Sequence, residues 1–238
     1  MASLLQERMG NVVLLTFNRP DVRNAVDEEL SRSFARAVRQ AVNEASAVCL
    51  RGSGPVFCSG GDLAALADDD DRALAVMSEM RATLTMLRNA PVPVIAYVEG
   101  LAVGGGAEIV ASAHLVCATP GAAFQFVQAK LGLSPGWGGG AALAERVGQG
   151  CALDLLLTAR RVGVAEARNL GLVDRVLIPA ELPAYLHQQA FQDRRLASAV
   201  TASLRRDEDG LDKARREFER LWRGPGHRES VRRFLRGK

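Results

Sequence analysis

Short apolar runs alternate with amphipathic segments over the first 180 residues of the chain. Each run is continuously apolar, which is typical of strands that are buried on both faces. The first run ends at Asn18-Arg19-Pro20, and the second is followed by the Gly-rich turn at residues 52–55. Turn-forming residues of this kind interrupt a strand. The pattern predicts buried strands at residues 12–17, 47–50, 93–98 and 115–118.

The segments between these runs have the period of a helix. Asp27 can cap a helix whose apolar positions recur every three or four residues. Those positions are Leu30, Phe34, Val38, Ala41 and Val42. A second helix is predicted over residues 73–87, and a third begins near Ala107. Strands that alternate with helices in this way predict an α/β fold.

The chain changes character beyond Pro183, where the pattern becomes helical and charged. Residues 194–238 contain 14 Lys and Arg against 7 Asp and Glu. A basic segment can meet nucleic acid, a neighbouring subunit or a phosphorylated ligand. The acidic residues mixed into it favour a solvated helical surface instead. We therefore predict an α/β core at residues 1–182 and a C-terminal helical region at residues 183–238.

Composition narrows the class of protein. Hydrophobic residues make up 48% and charged residues 24%, as in soluble globular proteins. The four cysteines are scattered without a CxxC pair, and the three histidines lack metal-ligand spacing. We therefore predict no metal site, no disulfide framework and a reducing, cytoplasmic location. The N-terminal residues are not expected to form a signal peptide, and the apolar run at residues 92–98 is too short to span a membrane.

Two Gly-rich turns each follow a strand and precede a helix, at residues 57–63 (FCSGGDL) and 100–108 (GLAVGGGAE). Glycine lets the backbone turn sharply and approach a ligand closely. Backbone N–H groups at the start of a helix can bind negative charge, and two converging turns can hold one oxyanion. The same glycines also fit two tight structural turns without a ligand.

Five segments together resemble the enoyl-CoA hydratase/isomerase (crotonase) family, in the family's order and spacing. The similarity extends over residues 8–180 and more loosely through the tail. The segments are Asn18-Arg19-Pro20 with Arg23-Asn24-Ala25, residues 57–63, residues 100–108, Leu131-Gly132 with residues 135–139 (PGWGG), and Ala165-Glu166-Ala167 with Gly171-Leu172-Val173.

The resemblance implies a crotonase-like spiral of ββα units with C-terminal helices that form a trimer, often doubled to a hexamer. It implies that the N–H groups of Gly61 and Gly105 form an oxyanion hole for a thioester. The substrate would carry coenzyme A, with no permanently bound cofactor. The residues implied to line the coenzyme A site are Arg23, Ala25, Ser59, Gly60, Asp62 and Leu63.

The family's two acid/base glutamates fall on Glu108 and Gln128. Glu108 lies in the first turn of a predicted helix, where it can complement the helix dipole or transfer a proton. Gln128 cannot take or give a proton at neutral pH, although it can hydrogen-bond a water molecule or a substrate. Hydration by two glutamates is therefore not expected.

Two segments are similar to ethylmalonyl-CoA decarboxylases, at residues 126–139 and 221–227. Loss of carbon dioxide from a malonyl thioester gives an enolate directly and needs one proton donor. We therefore favour decarboxylation of a small malonyl-type thioester over a hydratase or isomerase that uses Glu108 alone. A non-catalytic scaffold that binds acyl-CoA or RNA is a third hypothesis, but the tail has few aromatic residues for base stacking. Nucleic acid and membrane partners are not expected.

Two other motifs are excluded on chemistry. Residues 132–136 (GLSPG) match the G-x-S-x-G elbow of serine hydrolases, with Asp174 and His187 following. The residue after the serine must donate its N–H to the oxyanion, and Pro135 has none. The glycines at residues 104–106 lack the third glycine of a dinucleotide-binding turn, because that position is Ile109.

Overall fold

The computed structural model describes residues 2–67, 69–204, 215–216 and 218–220. Ten strands are assigned among these residues. In chain order they are β1 (Leu4–Met9), β2 (Val12–Phe17), β3 (Ala47–Gly52), β4 (Val56–Cys58), β5 (Val94–Val98), β6 (Leu101–Val103), β7 (Leu115–Ala118), β8 (Ala123–Gln125), β9 (Arg161–Gly163) and β10 (Arg175–Val176).

The helices of the same residues alternate with the strands and then follow one another near the C-terminus. They are α1 (Glu28–Glu44), α2 (Leu63–Leu66), α3 (Asp70–Arg88), α4 (Gly105–Ala111), α5 (Gly139–Val147), α6 (Gln149–Thr158), α7 (Val164–Asn169), α8 (Leu182–Leu186), α9 (Gln189–Gln192) and α10 (Arg194–Ser203). Short 3-10 helices lie at Pro20–Val22, Gln128–Leu131 and Pro179–Glu181.

The strands form two sheets, with orders β1-β2-β3-β5-β7-β10 and β4-β6-β8-β9. The pairs β3/β4, β5/β6 and β7/β8 each contribute one strand to each sheet. Helices α2 and α3 follow the first of these pairs and α4 follows the second. This repetition is the predicted series of ββα units, so the α/β prediction is confirmed.

All four predicted strands are present, as β2, β3, β5 and β7. The Asp27 carboxylate caps α1 by accepting a hydrogen bond from Leu30 N at 2.8 Å. The five predicted apolar positions of α1 are buried. The strands of the smaller sheet were not predicted, because each has three residues and no apolar run long enough to stand out.

The C-terminal helical region is described only in part. Leu182, Tyr185 and Leu186 of α8 pack against the face of the larger sheet formed by Val12 and Tyr97, among others. Helices α8 to α10 extend to Ser203, and the described residues 215–216 and 218–220 are also helical. The residues 221–227, on which part of the decarboxylase resemblance rests, lie outside the described residues, and the oligomerisation role of residues 183–238 stays a prediction. No helix in the described ranges is long and apolar enough to cross a membrane.

The smaller sheet brings the two Gly-rich turns together. Strands β4 and β6 are parallel neighbours, with Val56 opposite Leu101 and Cys58 opposite Ala102. Parallel neighbours end at the same edge of a sheet. The turn after β4 and the turn after β6 therefore lie side by side.

Candidate active site

The two turns approach each other at backbone distance. A Cβ atom added at Gly60, whose φ is +92°, would lie 2.9 Å from the Gly105 nitrogen. A Cβ at Gly106 would lie 2.1 Å from the Cys58 carbonyl oxygen. Side chains at these positions are excluded, because real Cβ atoms do not come so close to backbone atoms. The glycines are therefore required for the contact between the turns.

The N–H groups of Gly61 and Gly105 have no hydrogen-bond acceptor among the described residues. The backbone around Gly61 is fixed by Val26, whose N–H donates to Gly60 O at 2.8 Å and whose carbonyl accepts from Asp62 N at 2.9 Å. Gly105 is the first residue of α4, where backbone N–H groups have no partner within the helix. Both groups are free to donate to a ligand.

Both glycines line a cavity of about 300 Å³. Its wall is mainly apolar and comes from α2, α3, the 3-10 helix Gln128–Leu131 and the loop before α5. The lining side chains from these elements include Leu63, Leu66, Ala73, Val76, Met77, Leu131, Leu133 and Trp137. Among the described residues that line the cavity, Glu108 is the only one with an ionisable side chain.

The Glu108 carboxylate is buried, with 2% of the residue exposed. Its Oε2 accepts hydrogen bonds from Trp137 N at 3.0 Å and Gly139 N at 2.8 Å, and its Oε1 accepts from Gln128 Nε2 at 2.8 Å. Burial raises the pKa of Glu108 above its ordinary value, although these three donors and the backbone N–H of Gly136 oppose the change. The group is therefore able to hold a proton at a higher pH than an exposed glutamate.

Gln128 begins the 3-10 helix Gln128–Leu131 and lies against Glu108 in the cavity wall. Its Nε2 donates to Glu108, as described above, but its Oε1 is buried and has no partner among the described residues. A buried carbonyl without a donor is unusual in a folded protein. The sequence predicted Gln128 as a site residue, but it did not predict that Gln128 Oε1 has no hydrogen-bond donor.

Trp137 is a site residue that the sequence analysis did not single out. Its ring lies in the cavity wall, and its backbone N–H holds Glu108. A Cβ at Gly105 would lie 2.3 Å from ring carbon Cζ3, so the indole packs directly on that glycine. The available signal was its place in the PGWGG segment of the family resemblance.

The structure brings most of the predicted site residues to the cavity and leaves three outside its lining. The residues that line it are Ser59, Gly60, Gly61, Leu63, Gly105, Glu108 and Gln128. Arg23 is exposed in a left-handed conformation, with φ of 56°. Ala25 is buried, and the Asp62 carboxylate caps α2 at Ala65 N. A coenzyme A contact at Arg23, Ala25 or Asp62 stays a prediction.

Arg19 joins the segment at residues 25–27 to Asp62, the residue that follows Gly61. Its guanidinium forms ion pairs of 3.0 Å with Asp27, at the start of α1, and with Asp62, at the start of α2. It also donates to Ala25 O at 2.6 Å. Since 22% of the Arg19 side chain is exposed, these contacts are partly shielded from water. Arg19 therefore positions the loop that carries Gly61.

We expect Arg19→Met to lower the free energy of unfolding by about 2 to 3 kcal/mol, because two partly buried carboxylates lose their cation. Urea denaturation measures this loss. Arg32→Met is the matched control, because Arg32 pairs with Glu28 within one helix and is 62% exposed. Such a pair contributes less than about 0.5 kcal/mol. Equal effects of the two substitutions would contradict the positioning role of Arg19.

The structure does not support Ser134 or Cys58 as a catalytic nucleophile. Ser134 lines the cavity, but no hydrogen bond joins it to Asp174 or His187, which are also described residues. Asp174 instead pairs with Arg146, and His187 Nδ1 contacts Pro183 O. Burial raises the pKa of Cys58 to about 12, so its thiol stays neutral at physiological pH.

The sequence is similar to a family model and to proteins whose names describe acyl-CoA enzymes. The model of the family "Enoyl-CoA hydratase/isomerase" matches residues 7–220. A probable enoyl-CoA hydratase of Rhizobium meliloti is 35% identical over 182 residues, which cover 76% of this chain and 70% of that protein. An ethylmalonyl-CoA decarboxylase of Mus musculus is 29% identical over an alignment that covers 95% of this chain and 76% of that protein.

Solved structures show the same architecture. The enoyl-CoA hydratase of Mycobacterium smegmatis superposes with a TM-score of 0.87 and 27% identity, over 100% of this chain and 98% of that one. The enoyl-CoA hydratase of Thermoplasma volcanium superposes with a TM-score of 0.87 and 25% identity, over 98% and 97%. These matches confirm the crotonase-like fold.

Proposed function

Because the chain belongs to the enoyl-CoA hydratase/isomerase family of acyl-CoA enzymes, we propose that it decarboxylates a small malonyl-type CoA thioester. The observation that carries the proposal is the single ionisable side chain in the described lining of the cavity, Glu108. Where hydration by two acids would need a second carboxylate, the cavity has the amide of Gln128. The extent of the alignment with the mouse ethylmalonyl-CoA decarboxylase, 95% of this chain, also supports the proposal.

The oxyanion is assigned to the two unpartnered N–H groups. The thioester carbonyl oxygen accepts hydrogen bonds from Gly61 N and Gly105 N, which lie on opposite turns of the same cavity. Fixed donors of this kind stabilise the charge that develops on the oxygen in the transition state. They need no reorganisation during the reaction, because Val26 holds one turn and α4 begins at the other.

The reaction needs one proton. The bond between the α-carbon and the substrate carboxylate breaks, carbon dioxide leaves, and the electron pair moves to the thioester oxygen as an enolate. Glu108 then gives its proton to the α-carbon, and the resulting carboxylate takes a proton from water. The raised pKa of Glu108 favours the acid form that this step requires.

The remaining assignments follow from the same proposal. The coenzyme A portion lies towards Ser59, Gly60 and Leu63, and we assign a phosphate contact to Arg23, which is the cationic residue of the predicted set and is exposed. We propose a homotrimer or a dimer of trimers as the assembly, with no cofactor bound permanently.

A thioester panel tests the proposed reaction. We expect release of carbon dioxide and propionyl-CoA from methylmalonyl-CoA, or of butyryl-CoA from ethylmalonyl-CoA, by mass spectrometry. Crotonyl-CoA should be hydrated at least tenfold more slowly. Rapid hydration of crotonyl-CoA without carbon dioxide release would favour the second candidate, a hydratase that uses Glu108 alone, which the 35% identity to a probable enoyl-CoA hydratase supports. Salt-sensitive RNA binding without turnover of any thioester would favour the scaffold.

The pH dependence of turnover distinguishes the two enzyme mechanisms. A decarboxylase that uses Glu108 as an acid should have its highest kcat at low pH and lose activity as the pH rises through the raised pKa of Glu108. A hydratase that uses Glu108 as a base requires the carboxylate, so its activity should rise over the same interval. A kcat profile between pH 5 and pH 9 measures the direction, and an increase with pH would contradict the role of Glu108 as an acid.

A further inference from the structure

The amide of Gln128 has a hydrogen-bonding capacity that the protein does not use. Gln128 is 8% exposed, and its Nε2 lies 2.8 Å from Glu108 Oε1. Its Oε1 has no donor among the described residues. Leaving a buried acceptor unmatched is unfavourable. Either a ligand that donates a hydrogen bond to Gln128 Oε1 or a rotation of the amide would remove this penalty.

When Glu108 is protonated, the Gln128 side-chain amide can rotate to accept a hydrogen bond from it. A half-turn of the side-chain amide exchanges Oε1 and Nε2, which have nearly the same shape. Glu108 then donates its O–H to Gln128 Oε1 across the distance that the present hydrogen bond occupies. The Gln128 Nε2 moves to the position of the unmatched oxygen, with N–H groups that can serve a ligand.

A substrate carboxylate suits these N–H groups. The described lining of the cavity contains no Lys, Arg or His, so no cation there pairs with such a group. A cation would stabilise the substrate carboxylate more than the neutral carbon dioxide that leaves, and this would raise the barrier. A neutral amide holds and orients the carboxylate with a smaller penalty of this kind.

We propose that the unmatched Gln128 Oε1 marks the subsite for the substrate's own carboxylate, which accepts a hydrogen bond from the turned Gln128 amide when Glu108 is protonated. The subsite rests on the proposed decarboxylation, and it makes Gln128 the residue that selects carboxyl-bearing thioesters. A carboxylate at position 128 would repel the substrate carboxylate in an apolar cavity.

Binding measurements in a Glu108→Gln background test the subsite. Glutamine at position 108 is a neutral substitute for the protonated acid, and the slow turnover expected of this variant lets methylmalonyl-CoA persist during titration. Methylmalonyl-CoA and propionyl-CoA, which differ by the carboxylate, are titrated by calorimetry. Adding Gln128→Glu should weaken methylmalonyl-CoA binding at least tenfold and change propionyl-CoA binding less than threefold. Adding Gln128→Met, which removes the donors without adding charge, should weaken methylmalonyl-CoA three- to tenfold.

Gln149→Glu is the matched control, because it adds the same charge at an exposed position at the start of α6. It should change neither affinity more than twofold. The subsite is wrong if Gln128→Glu leaves methylmalonyl-CoA affinity within threefold, or if both ligands weaken equally. Because these affinities do not depend on turnover, they are separate from the proposed reaction, which fails if the wild-type protein releases no carbon dioxide.

Discussion

Glu108→Gln should reduce the kcat for formation of propionyl-CoA from methylmalonyl-CoA by about a thousandfold, within the range found for loss of a positioned acid or base. The substitution removes the proton but keeps the shape. The carbonyl of the introduced glutamine can accept the N–H groups of Trp137 and Gly139, and its amide can donate to Gln128 after that amide turns. The variant should therefore fold with wild-type thermal stability.

The measurement is single-turnover mass spectrometry of propionyl-CoA formation from methylmalonyl-CoA, with wild type and variant. Glu166→Gln is the control, because Glu166 lies in an exposed ion pair with Arg160, and its kcat should stay within twofold of wild type. Circular dichroism checks the fold of both variants. Turnover by Glu108→Gln within tenfold of the wild-type rate would remove Glu108 from the proton transfer.

Gly105→Ala should reduce kcat by about a hundredfold, although alanine keeps the backbone N–H that donates to the oxyanion. The added Cβ would lie 2.3 Å from the ring of Trp137, which is 5% exposed and cannot move away freely. The start of α4 must therefore shift. Loss of one oxyanion donor costs about 100- to 1000-fold in kcat, and a displaced donor approaches that loss.

Gly61→Ala is the matched control on the opposite turn. A Cβ there meets no protein atom closer than 3.9 Å, again on Trp137, so the donor stays in place and the loss of kcat should be at least tenfold smaller than for Gly105→Ala. Trp137→Leu relieves the contact with position 105, and in that background Gly105→Ala should cost less than tenfold. Equal losses for Gly61→Ala and Gly105→Ala would show that the clash with Trp137 is not the cause.

The network around Glu108 explains why the sequence identified the acid but not its environment. Glu108 was predicted from its place after the glycines, which is a local pattern. Its three donors come from residues 20, 29 and 31 positions later in the chain. Two of them are backbone groups, whose ability to donate is the same at every residue except proline. No sequence pattern reports that they converge on one carboxylate.

The residues predicted to bind coenzyme A also show that the sequence indicates a site without indicating where its side chains point. The motifs predicted Ser59, Gly60, Asp62 and Leu63 as one group, since they are adjacent in sequence. The structure places three of them on the cavity and directs the carboxylate of Asp62 to Arg19 and the start of α2 instead. Side-chain direction within a tight turn depends on backbone dihedral angles that neighbouring residues do not reveal.

The sequence by itself determined the alternation of strands and helices, the glycine turns and the family, because apolar periodicity reports burial and glycine reports local backbone freedom. Only the tertiary structure decided that Gly60 contacts Gly105, that Trp137 packs on the same turn, and that Gln128 Oε1 is unmatched. These features depend on how the parallel strands β4 and β6 pair and on how the loop before α5 folds over them. Such long-range packing is set by the whole core and not by any segment alone.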